Sequence, residues 1–211
     1  VDVNADAVKI QSYITDELII PQARMAPYQK LNTKNLTQSQ MLKKLELSED
    51  DQLVLQNYAA EKKITFISSP FDIPSLDLLV RMGVHIIKIP SGEITNIPLL
   101  KKVSSLGKDV ILSTGMSSIN EIQSALDILL SGKLSRRNIW ILHCNSEYPT
   151  PLEDVNLRAM LSIKEMLNIR VGYSDHTLGI AVSVAAVAMG ASIIEKHFTL
   201  DKSFDGPDHS A

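Results

Sequence analysis

Short runs of apolar, largely β-branched residues alternate with longer segments of helical periodicity along almost the whole chain. The runs are nearly continuous in apolar residues, which is typical of parallel strands covered on both faces of a sheet. Seven strands are predicted, over residues 7–11, 64–68, 84–89, 109–113, 139–144, 169–173 and 192–196. The pattern therefore predicts an α/β protein assembled from repeated βα units.

Helix start and stop signals occupy most of the intervals between these runs. Ser48 is followed by three acidic residues, the composition expected where a hydroxyl caps a helix and carboxylates meet its positive end. Helices are predicted over residues 49–62, 74–83, 118–131, 156–167 and 180–189. Residues 19–39 are rich in Gln, Asn, Lys and Thr and predict a long loop between the first strand and its helix.

Seven strands are one fewer than the closed (β/α)8 TIM barrel requires. Because the chain begins almost directly on a strand, we expect a (β/α)8 barrel that lacks its first βα unit. The alternative is an open, doubly wound sheet of the flavodoxin type, which can hold seven strands.

The amino-acid composition indicates which kinds of binding partner to expect. The 211 residues include 21 basic and 24 acidic side chains, a net charge of −3, so we expect neither nucleic-acid nor membrane binding. No apolar run reaches the length of a transmembrane helix, about 18 residues. Cys144 has no second cysteine to pair with, which favours a reducing, cytoplasmic compartment; we expect it to be a buried core thiol.

Polar side chains collect where the predicted strands end. In a βα barrel the carboxyl ends of all strands form one rim, and active sites are built there. The polar residues at these ends are Lys9 and Gln11; Ser68 and Ser69; Lys88, Ser91 and Glu93; Ser113 and Thr114; His143, Asn145 and Ser146; Ser174, Asp175 and His176; and Glu195 and His197. Any one could be an ordinary loop residue, but seven coinciding groups indicate a functional site. His85 lies early in its strand and is expected to be structural.

Lys88 lies inside an apolar strand, where an unpaired charge would be costly. It requires either an ion pair, with Glu93 or another rim carboxylate, or an anionic ligand. Together with Lys9 and nearby serine hydroxyls, it indicates a phosphate or carboxylate site. Glycine-rich nucleotide-binding motifs are absent from the sequence.

His176 and His197 end adjacent predicted strands. Two imidazoles with open positions suit a divalent ion such as Mn²⁺ or Mg²⁺, with water and substrate oxygens completing its coordination. The alternative is a pair of hydrogen-bonded structural histidines. The segment 204–209, which contains Asp208, could close over the rim as a turn.

Eight motifs in order along the chain resemble those of the sialic acid synthase family. They are KIQ at 9–11, SSPFD at 68–72, KIPSGE at 88–93, LSTGM at 112–116, HCNSEYP at 143–149, GYSDHT at 172–177, EKHFT at 195–199 and GPDH at 206–209. The resemblance covers nearly the whole chain. It implies that residues 1–211 are part of a NeuB-type TIM-barrel catalytic domain that condenses phosphoenolpyruvate with an N-acetylated aldose, such as N-acetylmannosamine, releasing phosphate and forming a nonulosonic acid.

The resemblance also implies roles for individual residues. The phosphoenolpyruvate pocket would consist of Lys9, Ser69, Lys88, Ser91, Ser113, Ser146 and Ser174. Some members have Asn where this chain has Ser146, and neighbouring Asn145 could substitute. The amino sugar would be held by Gln11, Glu93, Tyr148, Asp208 and the backbone near Phe71, and the metal by His176 and His197. Lys88, Glu93 and the two histidines are the implied catalytic residues, with Glu93 a candidate for proton handling.

Two family features are not found in this sequence. Members carry an acidic residue on a first strand that precedes the matched motifs, and usually a C-terminal antifreeze-like domain that reaches the partner subunit of a homodimer. Two alternatives to the synthase remain: another phosphoenolpyruvate-using or Schiff-base aldolase on the same barrel, and a non-catalytic barrel.

Overall fold

A computed structural model of the chain describes residues 3–20, 22–26, 29–30, 36–204 and 206–209. Its centre is a seven-stranded parallel sheet. The strands are β1 (Ala7–Ser12), β2 (Thr65–Pro70), β3 (Ile86–Ile89), β4 (Asp109–Ser113), β5 (Ile139–Cys144), β6 (Arg170–Asp175) and β7 (Ile194–Lys196). All seven predicted strands are therefore present, with shifts of one or two residues at several ends.

The strands lie side by side in the order of the sequence, from β1 at one edge to β7 at the other. A flavodoxin-type sheet changes direction after its first strands, so this order shows the open-sheet alternative to be wrong. The sheet is curled, because Lys9 on β1 reaches to within 4.0 Å of Glu195 on β7, although those strands are at opposite edges. The protein is thus an α/β fold with a curled, barrel-like parallel sheet.

Eight α-helices connect or flank the strands in the described part of the chain. They are α1 (Thr15–Leu18), α2 (Gln38–Leu45), α3 (Glu49–Glu61), α4 (Ile73–Arg81), α5 (Ile97–Leu106), α6 (Ile119–Leu130), α7 (Arg158–Leu167) and α8 (Ala181–Ala188). Ser48 and Ser118 begin α3 and α6 with capping boxes, so the predicted starts of both helices are confirmed. No helix of the described residues has the length and apolar character needed to cross a membrane.

Helices α1, α2 and α5 were not among the helices predicted from the sequence. The predicted loop over 19–39 overlaps the start of α2, which Thr37 caps together with Gln40; part of that loop lies outside the described residues. Asn96 caps α5, and its side chain accepts a hydrogen bond from the Leu99 amide. Both caps are standard helix start signals, but the apolar pattern that should follow them is weak in α2, which is polar, and hard to separate in α5, which follows closely on a short strand.

The main core lies between the sheet and its helices and includes Leu76, Leu99, Leu126, Ile139 and Tyr173. A second, small cluster lies on the inner, concave face of the sheet. Its buried members are Ile67, Ile111 and Leu142, with Ile86, Trp140 and Ile193 packed against them. This inner apolar layer is the floor on which the candidate site rests.

Candidate active site

Polar residues follow the apolar floor at an interval of two residues along the strands. Side chains two apart share a face of a strand, so residues two positions beyond the floor also point inward. Ile67 is followed by Ser69, Ile86 by Lys88, Ile111 by Ser113, Leu142 by Cys144 and Ile193 by Glu195. The alternation in the sequence thus places a polar layer directly above an apolar one, on the carboxyl side of the sheet.

Two lysines and one glutamate form the centre of this polar layer. Glu195 lies 3.7 Å from the Lys88 ammonium and 4.0 Å from that of Lys9. Lys88 donates a hydrogen bond of 2.6 Å to the Ser113 hydroxyl, and Ser174 donates one of 2.8 Å to Glu195. We call these five residues the lysine–glutamate cluster.

Burial governs the electrostatics of this cluster. Lys88 is only 2 % exposed, and its burial lowers the pKa of its ammonium group, an effect that Glu195 opposes. Burial alone would raise the pKa of the Glu195 carboxyl, but the two lysines hold that pKa below its usual range. The sequence predicted that Lys88 has either a carboxylate partner or an anionic ligand. The structure shows a carboxylate partner, which is Glu195 and not Glu93.

A group of small polar side chains surrounds Gly115, just after β4. The Gly115 amide donates a hydrogen bond of 2.8 Å to Ser91, whose hydroxyl lies 3.4 Å from the Cys144 sulfur. A Cβ atom at position 115 would lie 2.4 Å from the Ser146 hydroxyl and 3.0 Å from that of Ser91. Cys144 is buried as predicted, but it faces this pocket of hydroxyls instead of packing in the main core.

His176 and His197 directly follow the paired strands β6 and β7, and their ring centroids are 5.3 Å apart. Burial lowers the pKa of each imidazole to about 4, so both rings are neutral at physiological pH. The His176 Nδ1 lies 2.6 Å from the Asn145 carbonyl oxygen. Because a carbonyl only accepts, Nδ1 carries the proton and the Nε2 lone pair lies on the other side of the ring, 3.4 Å from the Ser174 hydroxyl oxygen.

Both rings share their neutrality with histidines that bind metals, and His176 also shares with them its hydrogen bond to a backbone carbonyl. A histidine must be neutral to bind a metal ion, and histidines that bind metals commonly donate the N–H of their other ring nitrogen to a backbone carbonyl. Among the described residues, no group of three or more His, Cys, Asp or Glu side chains is arranged to hold a metal ion. Two neighbouring neutral imidazoles are a donor set that suits a divalent ion whose other positions are filled by water and ligand oxygens.

Tyr148 and Asp208 adjoin the histidine pair. The Tyr148 ring lies 4.1 Å from the His176 ring and 5.5 Å from that of His197, measured between centroids. Asp208 lies 3.9 Å from His197 Nδ1, and burial raises the pKa of its carboxyl group. The segment carrying Asp208 thus comes back to the rim, as the sequence analysis expected.

The contacts of three other predicted site residues, Gln11, Phe71 and Glu93, are with their immediate neighbours. Gln11 is exposed and lies in register with Ser69, whose buried hydroxyl has no hydrogen-bond partner among the described residues. Phe71 follows β2 and packs edge-on against Tyr13, with centroids 6.2 Å apart. Glu93 accepts a hydrogen bond of 2.7 Å from the Asn96 side chain.

Several polar residues at strand ends do not join the site; Thr114, for example, donates its hydroxyl to the Leu142 carbonyl. Ser68 bonds to Ser12 on the helix-covered side, and His143 lies 2.9 Å from the Val155 carbonyl. Asp175 is fully buried beneath α8. Strand alternation explains this, because each directly precedes or follows an inward-facing position and so points to the outer face.

The residue that sequence reasoning undervalued is Glu195, which was noted at a strand end but given no role. It contacts both lysines and Ser174. The available signal was its spacing of two residues from His197, which places both side chains on the inner face.

Comparisons with known proteins give the context of this site. The N,N'-diacetyllegionaminic acid synthase of Campylobacter jejuni is 52% identical over 211 residues, which are 100% of this chain and 63% of that protein. The synthase of the same name from Legionella pneumophila is 47% identical over 210 residues, 98% of this chain and 59% of that protein. The chain thus spans less than two thirds of the length of these curated relatives.

A solved structure is similar over nearly the whole fold. The crystal structure of N-acetylneuraminic acid (sialic acid) synthetase from Leptospira borgpetersenii in complex with citrate matches with a TM-score of 0.83 and 36% identity. The match covers 99% of this chain and 67% of that one. The NeuB family profile matches residues 1–211. With this match and these relatives, the chain belongs to the NeuB family, the family of the sialic acid synthases.

Proposed function

We propose that the protein carrying this chain condenses phosphoenolpyruvate with an N-acetylated aldose to form a nonulosonic acid, with release of phosphate. The observation that carries this proposal is the lysine–glutamate cluster, in which two ammonium groups and two hydroxyls converge beside the histidine pair. A small substrate with both a phosphate and a carboxylate matches two neighbouring cations. Membership of the NeuB family supports the same reaction.

In this proposal the phosphoenolpyruvate pocket consists of the lysines and hydroxyls of the rim. Lys9 and Lys88 hold the phosphate and carboxylate by charge-assisted hydrogen bonds. The hydroxyls of the pocket are those of Ser69, Ser91, Ser113, Ser146 and Ser174. The unpartnered Ser69 hydroxyl supports the assignment, because a buried donor without a partner is costly and a bound anion would satisfy it.

The sugar would bind on the neighbouring side of the rim. We assign its contacts to Gln11, Phe71, Glu93, Tyr148 and Asp208. Tyr148 and Asp208 adjoin the histidines, which would bring the aldehyde end of the sugar close to them. His176 and His197 would hold a divalent ion, Mn²⁺ or Mg²⁺, which when bound polarises the aldehyde as a Lewis acid.

The chain's own residues then act by positioning and electrostatics. C3 of phosphoenolpyruvate attacks the aldehyde carbon, and the aldehyde oxygen takes up a proton to become a hydroxyl. Water adds at C2 and gives up a proton, and the tetrahedral product expels inorganic phosphate as the C2–O bond breaks, leaving a ketone at C2. Lys9 and Lys88 stabilise the anionic groups during these steps, and the apolar floor under them keeps bulk water out. Glu93 is the candidate for moving a proton to or from the sugar.

We further propose that the curled sheet is part of a (β/α)8 barrel and that residues 1–211 belong to its catalytic domain. The two edge strands, β1 and β7, approach closely enough for their side chains to meet, so one additional strand between them would close the sheet. The whole protein is proposed to be a cytoplasmic homodimer that binds neither nucleic acid nor membrane. The mild net charge of residues 1–211 and the unpaired Cys144 in them agree with this.

The test is a phosphate-release assay on the full-length protein with phosphoenolpyruvate, Mn²⁺ or Mg²⁺, and a panel of sugars. The panel contains N-acetylmannosamine and di-N-acetylated deoxy sugars, since two relatives are named for diacetyllegionaminic acid. We expect sugar-dependent phosphate release with at least one of them. No release with any sugar, with metal present, would contradict the proposal. A borohydride-trapped adduct at Lys9 or Lys88 would instead support a Schiff-base aldolase.

A further inference from the structure

The two histidines of the proposed metal site are each preceded by a charged residue on the opposite face of the sheet. Asp175 ends β6 and Lys196 ends β7, and the two are direct register partners. His176 and His197 follow them. Because side chains alternate along a strand, the charged residues point outward while the histidines point to the rim.

Asp175 is fully buried, and its carboxylate is held from several sides. One oxygen accepts hydrogen bonds from the backbone amide and the hydroxyl of Thr177, at 2.8 and 2.7 Å. The other accepts a bond of 2.5 Å from the Ser183 hydroxyl on α8 and lies 3.3 Å from the Lys196 ammonium. Lys196 also donates a bond of 2.7 Å to the Thr177 carbonyl.

These contacts surround the backbone of both histidines. Asp175 and Thr177 are the residues immediately before and after His176, and Lys196 immediately precedes His197. The network therefore ties the end of β6 to the end of β7 and anchors both to α8. We call Asp175, Thr177, Ser183 and Lys196 the outer clamp.

We propose that the outer clamp fixes the spacing of the His176 and His197 rings and so sets the affinity of the site for a divalent ion. The inference rests on the proposed function, which assigns the ion to these histidines. A site with only two protein ligands depends strongly on how rigidly they are held, because metal–nitrogen distances tolerate little error. The clamp supplies that rigidity without touching the metal, the substrates or the ring nitrogens, so its members are positioning residues.

The alternative is that the clamp only stabilises the fold. Other ion pairs of this protein lie farther out: Lys102 with Asp77 and Arg81 with Glu49 join helix surfaces, and all four side chains are partly or largely exposed. Lys102 provides a matched control, because its side chain is 32% exposed and that of Lys196 is 28% exposed. Both lysines pair with an aspartate, but Lys102 is not connected to the rim.

The experiment compares Lys196→Met, Lys196→Arg and Lys102→Met in the full-length protein. Mn²⁺ affinity is measured by electron paramagnetic resonance and by titration calorimetry, and the melting temperature is recorded without metal. We expect Lys196→Met to bind Mn²⁺ about 10- to 100-fold more weakly. Lys196→Arg should recover most of the affinity because it restores the charge, and Lys102→Met should bind as the wild type does.

The outcomes separate the clamp from the proposed function. If the wild type binds Mn²⁺ and Lys196→Met binds it equally well, the clamp has no positioning role, whatever its effect on the melting temperature. If the wild type does not bind Mn²⁺, the metal assignment fails and the clamp proposal fails with it. Asp175→Asn is a second variant, which keeps the acceptor for Thr177 and weakens the pair with Lys196; if it does not fold, the Lys196 variants still decide the question.

Discussion

Replacing Lys88 with methionine tests the electrostatics of the lysine–glutamate cluster, because it removes a buried charge and leaves a side chain of similar length. The ammonium of Lys88 lies 3.7 Å from Glu195. At an effective dielectric constant of about 20, that separation corresponds to an attraction of about 4–5 kcal/mol. Methionine also avoids the desolvation cost of the lysine, so we expect a net loss of about 3 kcal/mol in the free energy of unfolding.

For a chain of this length, that loss corresponds to a decrease of about 6–12 °C in melting temperature, measured by calorimetry. Binding of phosphoenolpyruvate should weaken at the same time. Loss of a charge-assisted hydrogen bond costs about 1.5–3 kcal/mol, or about 10- to 150-fold in Kd by titration calorimetry.

The double variant Lys88→Met, Glu195→Gln separates the two effects. Lys88→Met leaves the buried Glu195 carboxylate with only the more distant Lys9, 4.0 Å away, and Ser174 as partners, so neutralising Glu195 should restore part of the lost stability. Anion binding should remain weak, because the cation is still missing. A single variant that melts within about 2 °C of the wild type would refute the reasoning, as would a double variant less stable than the single one.

Three other predictions concern packing and protonation. Gly115→Ala should raise the KM for phosphoenolpyruvate in the phosphate-release assay with little change in melting temperature, because its Cβ would displace the Ser146 hydroxyl, 2.4 Å away. Gly172→Ala should destabilise the fold by about 1–3 kcal/mol in urea denaturation, since its Cβ would lie 2.4 Å from the Ile193 carbonyl oxygen, a backbone atom. Burial lowers the pKa of His143, so stability should decline as the pH falls below 6.5, its ordinary value, and His143→Gln should reduce that decline.

One control variant and two contradicting outcomes make these predictions testable. Gly92→Ala introduces the same methyl group in a place with no atom within 4 Å, so it should affect stability less than Gly172→Ala does. A KM that is unchanged in Gly115→Ala would show that the hydroxyls around it do not contact substrate. For His143, an unchanged slope of melting temperature against pH in His143→Gln would mean that the other histidines account for the decline.

The sequence predicted the strands well because each is a short apolar run between recognisable turns and caps. The sequence also predicted that the two histidines and Lys88 lie at one rim, because all three are at the carboxyl ends of parallel strands. It did not predict that Lys88 pairs with Glu195, which lies 107 positions later and meets it only through the curl of the sheet. Contacts across the interior depend on curvature, and no local pattern encodes that quantity.

The strand ends also show that the alternation of side chains between the two faces of a strand limits how well a site can be predicted from sequence. Ser68, His143 and Asp175 were grouped with the rim because they lie beside rim residues in the sequence. Their side chains face the helices instead. Residue type and proximity to a strand end are therefore not enough to assign a residue to the site. It must also be known which face of the sheet the side chain is on, and this is fixed only once one inward-facing residue on each strand has been identified.

The stacking of a polar layer on an apolar floor has a consequence for how the sequence of such a protein can evolve. Ile111 and Ser113, or Ile193 and Glu195, stand on the same face of one strand, separated by two residues, about 6.6 Å. The lower residue packs into the apolar floor and the upper one contacts the site. Substitutions in the upper layer can therefore alter which ligand the rim binds while the lower layer preserves the fold. A lineage that carries this arrangement can change the chemistry of its rim without first having to acquire a new scaffold.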